Sequence, residues 1–300
     1  MTGPDTGYLA AMPELPDVEG FRAVLAGHAT GRPVRRVEVA DAGVLRGVSA
    51  RRLDEALRGH RFTETTRHGK WLIAGTDGPV LLLHFGMTGS LHWSADGEPR
   101  HRHDRVVFVL GKREGGTRGK AGDSGRGGGG RADGQGGELR YRDMRKLKGL
   151  TLAADRDQAG RVLAGLGPDA LEISAADLAC LLAGRRAAVK AVLVDQHAIA
   201  GLGNLLADEI LWRALIFPRR RASDLTGDER RRLHREMRAV LRAAVRAGRV
   251  PPRPSWLTGV RDHSEAACPR CGTRLERARI GGRATVWCPR DQPGPGTRAA

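Results

Sequence analysis

The sequence lacks the features that mark membrane or secreted proteins. Its 300 residues include only four cysteines, too few for a disulfide-stabilised scaffold. The longest apolar runs, such as residues 79–83 (PVLLL), fall far short of the roughly 20 residues that cross a bilayer. Residues 1–11 contain no lysine or arginine and no apolar segment of signal-peptide type. We therefore expect no membrane partner and a cytoplasmic location.

Acidic residues and lysine are also scarce. The chain has 51 Lys+Arg against 34 Asp+Glu, a formal net charge of +17, and only six of those cations are lysines. A positive excess of this size attracts phosphate backbones through counterion release. A GC-rich coding bias toward arginine would produce the same composition, so charge alone only favours nucleic acid. The 40% hydrophobic content is sufficient for a buried core and excludes general disorder.

The first half of the chain predicts short strands with a few helices. Apolar spacing predicts a helix over residues 15–31, and Ser49 is expected to cap a short helix that ends at Gly59. Strands are predicted at residues 34–39, 70–74, 80–85, 90–93, 105–110 and 139–142. Many short strands between turns are typical of a sandwich or barrel. Residues 111–137, of which 13 are glycine, predict a disordered insertion within a β-hairpin.

From about residue 155 the pattern becomes helical. Ser174 and Thr226 begin helix-capping sequences, and the second helix is expected to stop at Gly248. Residues 185–197 and 204–214 predict two more helices around a Gly-Leu-Gly turn, with Asn204 as a cap. A helix that starts after such a turn offers free N–H groups to a phosphate. An ordinary helix–turn–helix packing unit would have the same pattern.

The C-terminal region carries a metal-binding pattern. Cys268 and Cys271 form one CxxC knuckle, and Cys288 and Asp291 form a second with aspartate in the last position. Two such knuckles suit a tetrahedral Zn²⁺ site, although carboxylate is a harder ligand than thiolate. His263 is an alternative ligand, and a hairpin without zinc is the alternative structure. The fourth cysteine, Cys180, lies in an apolar helical run and is expected in the core.

Several ordered motifs together resemble a known family. The chain contains MPELPDVEG at residues 12–20, GKWL at 69–72, HFGMTGS at 84–90, DMRKL at 143–147, GLGN at 201–204 and Gly-Arg at 282–283. In this order they resemble the formamidopyrimidine-DNA glycosylase / endonuclease VIII family, and Leu15-Pro16 resembles the formamidopyrimidine branch. The resemblance covers nearly all of residues 12–292.

The resemblance implies an α+β fold in three parts. These are an N-terminal β-sandwich with flanking helices over residues 12–154, a helix–two-turn–helix domain over 155–250 and a zinc-finger-like β-hairpin over 251–292. Residues 1–11 are then expected to be a non-native extension, and residues 293–300 a tail.

The same resemblance implies a bifunctional DNA glycosylase/AP lyase that excises oxidised or ring-opened purines from double-stranded damaged DNA. It is expected to act as a monomer at the nucleoid. The implied catalytic residues are Pro13, Glu14, Lys70 and Arg283. The implied DNA-binding residues are His84, Met87, His103, Arg145, Leu147, Lys190 and Asn204. The implied zinc ligands are Cys268, Cys271, Cys288 and Asp291.

Three positions depart from the family pattern, and one of them is Asp291, the aspartate in the last zinc-ligand position. The family nucleophile is an N-terminal proline amine, whereas Pro13 is internal here and its nitrogen is an unreactive amide. We expect that translation starts at Met12 and that its removal exposes Pro13. Leu147 stands where many relatives have phenylalanine, so it can wedge between bases but cannot stack as an aromatic ring.

Two alternatives remain at this point. The internal Pro13 and the aspartate ligand also suit a non-catalytic relative that binds damaged DNA. An RNA- or ribosome-associated zinc-ribbon protein would explain the charge and the cysteines, but it leaves the N-terminal motif unexplained.

Overall fold

The structure, a computed structural model, describes residues 12–95, 97–113 and 136–294. The chain divides into two compact units. The first comprises the residues up to Pro13, Phe21–Arg67 and Trp71–Val162, and the second comprises Glu14–Gly20, His68–Lys70 and Leu163–Ala300. The predicted extension at residues 1–11 and most of the predicted insertion, residues 114–135, lie outside the described residues. Within the described part, no helix is long and apolar enough to cross a membrane.

The first unit is built on two β-sheets. One has four strands in the order β1-β7-β8-β6, and the other has five in the order β2-β9-β5-β4-β3. The rings of Phe62 and Phe108, one from each sheet, meet edge to face at 6.2 Å between centroids, so the sheets form the predicted sandwich. The strands are β1 (Val34–Val39), β2 (Leu45–Arg46), β3 (Phe62–His68), β4 (Trp71–Thr76), β5 (Val80–His84), β6 (Ser90–Ala95), β7 (Asp104–Leu110), β8 (Gly137–Arg142) and β9 (Gly149–Ala153).

Three helices flank this sandwich in the sequence: α1 (Leu15–His28), α2 (Ala50–Leu57) and α3 (Arg156–Leu163). Ser49 caps α2 by accepting a 3.2 Å hydrogen bond from the Arg52 N–H, as predicted. Strand β3 was not predicted, because among its seven residues only Phe62 is buried and no alternation is visible. The predicted hairpin is confirmed, since β7 and β8 pair antiparallel from Leu110 opposite Gly137.

The second unit is helical and ends in a hairpin. Its elements are α4 (Ala175–Ala183), α5 (Val189–Val194), α6 (Asn204–Arg213), α7 (Gly227–Arg246), α8 (Leu257–Val260), β10 (Glu276–Ile280) and β11 (Arg283–Trp287). The capping box predicted at Thr226 is present. Helix α5 is shorter than predicted, because Ala188 is extended and the next N–H, of Val189, bonds to the Arg220 carbonyl at 2.7 Å. The α+β class is confirmed.

Candidate active site and metal centre

The carboxylate of Glu14 is bound at the N-terminus of α6. Its Oε2 accepts hydrogen bonds from the N–H groups of Gly203 (2.8 Å) and Leu206 (3.2 Å), and its Oε1 accepts one from Leu205 (2.8 Å). A Cβ on Gly203 would overlap the Glu14 carboxyl group, so glycine is required there for close approach. The idea that this helix end offers free N–H groups to a phosphate is therefore wrong for these three groups.

The environment of Glu14 perturbs two carboxyl groups. Glu14 is only 2% exposed, and burial raises its pKa above the ordinary value, against the opposing effects of Lys70 and the three N–H groups. Asp17 accepts a 2.9 Å hydrogen bond from the Glu14 N–H. Burial raises the pKa of Asp17 to about 6, helped by the negative charge of Glu14. The site therefore holds two adjacent carboxyl groups that retain protons more readily than usual.

Lys70 follows a sharp, closely packed turn at Gly69. Gly69 has φ +57°, and a Cβ there would lie 2.7 Å from the Ala200 Cβ. The buried Asp169 accepts a 2.7 Å hydrogen bond from the Gly69 N–H. The Lys70 side chain is buried, and burial lowers its pKa, with Glu14 raising it and Arg283 lowering it further. The Lys70 ammonium group therefore interacts electrostatically with both the Glu14 carboxylate and the Arg283 guanidinium.

Arg283 is exposed at the start of β11, beside the tight turn of the hairpin. Gly281 and Gly282 both have positive φ, at 56° and 74°, which is why glycines occupy this turn. A Cβ on Gly281 would lie 3.0 Å from the Ala191 Cβ of α5, so the turn packs against that helix. An exposed guanidinium in this position suits a phosphate.

Pro13 directly precedes Glu14 and is buried. In the full chain its nitrogen is bonded to Met12. Two of the catalytic residues that the resemblance implies are therefore adjacent in sequence, and the carboxylate of the second is bound at the N-terminus of α6.

Two residues that were predicted to bind DNA differ from expectation: Lys190 in its exposure, and Asn204 in its role as a helix cap. Lys190 is fully buried, its Nζ lies 2.5 Å from Asp208 Oδ1, and it donates a 2.9 Å hydrogen bond to the Ala284 carbonyl. The prediction that Lys190 contacts a phosphate is therefore wrong, because its ammonium group is already bound in the protein interior. Asn204 is the first residue of α6 and not its cap, which is Gly203. Its buried Oδ1 has no hydrogen-bond partner among the described residues.

In the first unit, two loops that carry predicted DNA-binding residues are tied together. The Thr88 Oγ–H donates to Asp143 Oδ1 at 2.6 Å, and the Arg145 N–H reaches that same oxygen and Thr88 Oγ1 at 3.0 Å each. The structure thereby brings Met87, which precedes Thr88, to the loop of Arg145 and Leu147. Arg145 is exposed, and Leu147 is 50% exposed although it is apolar.

The two histidines predicted to bind DNA, His84 and His103, each bond to a residue of one of these loops. The backbone carbonyl of His103 accepts a 3.0 Å hydrogen bond from the Asp143 N–H, and its Nδ1 lies 2.9 Å from Arg105. His84 ends β5, and its Nδ1 accepts a 3.0 Å hydrogen bond from the Gly86 N–H. An accepting Nδ1 leaves Nε2 as the donor in neutral His84.

The predicted metal ligands form one cluster. One ligand atom from each of Cys268, Cys271, Cys288 and Asp291 lies within 4.8 Å of the others. Cys268 Sγ lies 3.4 Å from Asp291 Oδ2, and Cys271 Sγ lies 3.5 Å from Cys288 Sγ. Three thiolates and a carboxylate fit tetrahedral Zn²⁺, which would join the two knuckles and stabilise the hairpin.

Neighbouring side chains bind two members of this cluster, Asp291 and Cys268. Arg270 donates a 3.2 Å hydrogen bond to Asp291 and lies over the Trp212 ring, whose Nε1–H donates to Cys268 Sγ at 3.3 Å. His263, the alternative ligand, is not part of the cluster found among the described residues.

Cys180 is exposed, so its predicted core position is wrong: it lies on the outer side of α4.

Four residues that position the site went unrecognised in the sequence: Asp17, Asp169, Asp208 and Arg261. Asp17 belongs to the N-terminal motif, so its position was a usable signal. The others are single charged residues in helical or loop segments, and only their burial at 2%, 1% and 3% exposure distinguishes them.

Comparison with known proteins finds three family models that together match most of the chain. A family model for the formamidopyrimidine-DNA glycosylase N-terminal domain matches residues 12–150. The model for the H2TH domain of the same glycosylase matches residues 165–251. A zinc finger found in FPG and IleRS matches residues 267–294.

Individual relatives agree. Formamidopyrimidine-DNA glycosylase of Symbiobacterium thermophilum is 36% identical over 298 residues, covering 95% of this chain and 90% of the relative. The Methylococcus capsulatus protein is 34% identical over 294 residues, covering 94% and 100%. Among solved structures, the Lactococcus lactis glycosylase bound non-covalently to AP-site DNA is 25% identical with a TM-score of 0.79, covering 94% of this chain and 100% of that one.

Proposed function

The chain belongs to the formamidopyrimidine-DNA glycosylase family, and from that membership we propose that it is a bifunctional DNA glycosylase/AP lyase acting on oxidised or ring-opened purines in duplex DNA. The relatives are named formamidopyrimidine-DNA glycosylases, and the Lactococcus lactis structure contains AP-site DNA. The observation that carries the proposal concerns Glu14, the residue directly after Pro13. Its buried carboxylate is held by three backbone N–H groups at the start of α6.

Pro13 is the proposed nucleophile. A terminal amine has a pKa of about 7.7–8.0, so much of it is free base near neutral pH. Its nitrogen bonds to C1′ of the sugar as the bond from C1′ to the damaged base breaks. Opening of the ring breaks the C1′–O4′ bond and leaves an iminium. That electron sink permits loss of the 3′ phosphate and then of the 5′ phosphate by β- and δ-elimination. The base must be flipped out of the duplex first.

This chemistry requires the Pro13 nitrogen to be a free amine. We propose that the active form begins at Pro13 after removal of Met12. The family match that starts at residue 12 supports this.

Glu14 is the proposed proton donor to O4′ as the sugar ring opens. Burial raises its pKa, so this carboxyl group retains a proton more readily than an exposed glutamate does. Lys70 and Arg283 supply positive charge for phosphate and for the developing negative charge of elimination. Lys70 is proposed to assist β-elimination, and Arg283 to hold the phosphate at the lesion and to assist δ-elimination.

The first unit supplies the remaining DNA contacts in this proposal. Met87, Arg145 and Leu147 are proposed to fill the space left by the flipped base, since apolar wedges offset lost stacking. Exposure of Leu147 supports this, because an apolar side chain on the surface is available for insertion. His84, His103 and Asn204 are proposed to contact the DNA. We also propose that the protein acts as a monomer on chromosomal DNA, at the nucleoid in the cytoplasm.

Borohydride trapping tests the proposal directly. Two forms, one starting at Met1 and one at Met12 with Met removed, are incubated with duplexes carrying 8-oxoguanine or an abasic site. We expect a covalent complex only with the form that starts at Pro13, and that duplex should also be nicked. Tight binding to the damaged duplexes with no trapping by either form would instead support a non-catalytic DNA-binding relative. Binding to RNA but not to damaged duplexes would support the zinc-ribbon alternative.

A further inference from the structure

A buried cluster of three charged residues joins α6 to the hairpin that carries Arg283. Asp208, 1% exposed, is at its centre. Its Oδ1 lies 2.5 Å from Lys190 Nζ, and its Oδ2 accepts a 2.5 Å hydrogen bond from Arg261 NH1. We define these three residues, Lys190, Asp208 and Arg261, as the buried triad.

The triad holds β11 by its backbone at two points. Lys190 donates to the Ala284 carbonyl at 2.9 Å, and Asp208 accepts from the Val286 N–H at 3.2 Å. Both groups lie on the side of β11 away from β10, and Ala284 directly follows Arg283. Strand β10 is also attached, because Arg277 donates hydrogen bonds to the carbonyls of Arg261 and His263.

The triad also contacts the helix end that holds Glu14. Arg261 NH1 lies 3.4 Å from the Asn204 carbonyl. Asp208 is one turn after Asn204 on α6, so the attachment of β11 is about 6 Å along the helix axis from that of Glu14. The first two turns of α6 therefore hold the carboxylate at one end and the finger strand at the other.

Such a cluster is a poor way to gain stability. Burial of ions is costly, and apolar residues of similar size often stabilise a protein as well or better. Arg261 Nε makes no hydrogen bond among the described residues, and its ion pair with the exposed Asp262 is long, at 3.5 Å. A buried ionic cluster that contributes little stability can still fix one arrangement, and here the arrangement is that of Arg283 relative to Glu14.

We infer that Arg261 is a positioning residue, which acts through Asp208 and β11 to place the Arg283 guanidinium on the phosphate at the lesion. The inference rests on the proposed function. Arg261 itself is only 3% exposed and is not expected to touch DNA.

A double-mutant cycle tests it. Arg261→Met, Arg283→Ala and the double variant are compared with wild type, in the form starting at Pro13, on abasic-site DNA and on a tetrahydrofuran analogue. Arg283→Ala should lower the salt slope of binding by about one and reduce δ-elimination relative to β-elimination. Arg261→Met should do the same, with a loss of about tenfold in δ-elimination. The double variant should lose no more binding or δ-elimination than Arg283→Ala alone, because both substitutions remove the same contact between Arg283 and the phosphate.

The controls separate positioning from folding. Arg213→Met removes an arginine of α6 that pairs at 2.7 Å with Glu209 on the same helix and not with the buried triad, and it should leave the product ratio unchanged. Arg261→Lys should restore part of it. If Arg261→Met unfolds, a triple variant with Lys190→Met, Asp208→Leu and Arg261→Met avoids an unpaired buried charge and should fold but show the same altered ratio.

Losses that add in the double variant, or a β-to-δ product ratio that Arg261→Met leaves unchanged, would overturn the inference. Absence of cleavage by wild type would instead overturn the proposed function. In that case the salt slopes on the tetrahydrofuran duplex still decide whether Arg261 positions Arg283.

Discussion

Glu14 Oε1 accepts a 2.8 Å hydrogen bond from the Leu205 N–H, 191 residues later in the chain. This contact joins the N-terminal motif to the Gly-Leu-Gly-Asn turn, two segments that the sequence separates by most of its length. Both segments are needed to fix the carboxylate, because the turn exposes the N–H groups at the start of α6 and Glu14 accepts their hydrogen bonds. A carboxylate held in this way has a fixed direction relative to α6.

Glu14→Gln should abolish base excision while binding of damaged DNA stays near that of wild type. Glutamine keeps one acceptor oxygen but turns an NH₂ group toward N–H donors, so a loss of about 1–3 kcal/mol in unfolding free energy is expected. Excision on an 8-oxoguanine duplex, binding and thermal unfolding are measured together. Retained excision at a wild-type rate would remove Glu14 from the proton-transfer role.

Asp17 should make the protein less stable as the pH rises from about 4 to about 6. The pKa of Asp17 is about 6 when folded, against a usual 3.8. In that interval the folded state binds more protons than the unfolded state, so the free energy of unfolding falls with rising pH. The full effect at pH 7 is up to about 3 kcal/mol.

Asp17→Asn tests this, because asparagine stays neutral and can still accept the hydrogen bond from the Glu14 N–H. Urea unfolding should show little difference from wild type at pH 4 and a growing advantage of the variant up to pH 7. The exposed Asp157→Asn serves as the control and should not change the pH dependence. Parallel curves for wild type and Asp17→Asn would contradict the raised pKa.

The sequence predicted the order of elements well and the interior charges poorly. Capping boxes and strand alternation are local, so Ser49 and Thr226 were correctly placed. The prediction that Lys190 binds DNA was wrong because a lysine on a short helix has the same local pattern whether it faces solvent or Asp208. Only the fold decides that, since Asp208 and the Ala284 carbonyl come from distant segments.

The same limit applies to the candidate site. The motif containing Glu14 was visible, but the partner of its carboxylate was not, because residues 203–206 read equally well as a phosphate site. Asn204 was expected to cap α6, and the close approach of Glu14 gives that place to Gly203, which has no side chain to obstruct it.

Leu147→Ala should impair excision from duplex DNA without affecting the fold. The side chain is 50% exposed, so truncation should change the unfolding free energy by no more than about 0.5 kcal/mol. Loss of the wedge should slow excision from a paired duplex more than cleavage at an abasic site already unpaired. Met144→Ala is the matched control, since Met144 is 54% exposed in the same loop. Equal effects of the two substitutions would show that loop hydrophobicity, and not a wedge at Leu147, is responsible.

Asp291 should set the zinc affinity of the finger. Its Oδ2 lies 3.4 Å from Cys268 Sγ and is held by Arg270, so it is placed to be the fourth ligand. Thiolate is the softer ligand and suits Zn²⁺ better beside three other thiolates. We expect Asp291→Cys to bind zinc more tightly and Asp291→Ala to bind it at least about tenfold more weakly.

Competition with a chromophoric chelator measures both affinities, and zinc content per chain checks them independently of activity. The exposed Glu276→Ala, which removes a carboxylate from the same finger, is the control and should retain wild-type affinity. Because zinc would hold together the knuckles on either side of β10 and β11, Asp291→Ala should also weaken DNA binding by the amount that Arg283→Ala does. Wild-type zinc affinity in Asp291→Ala would mean that another group completes the site and that Asp291 serves only to pair with Arg270.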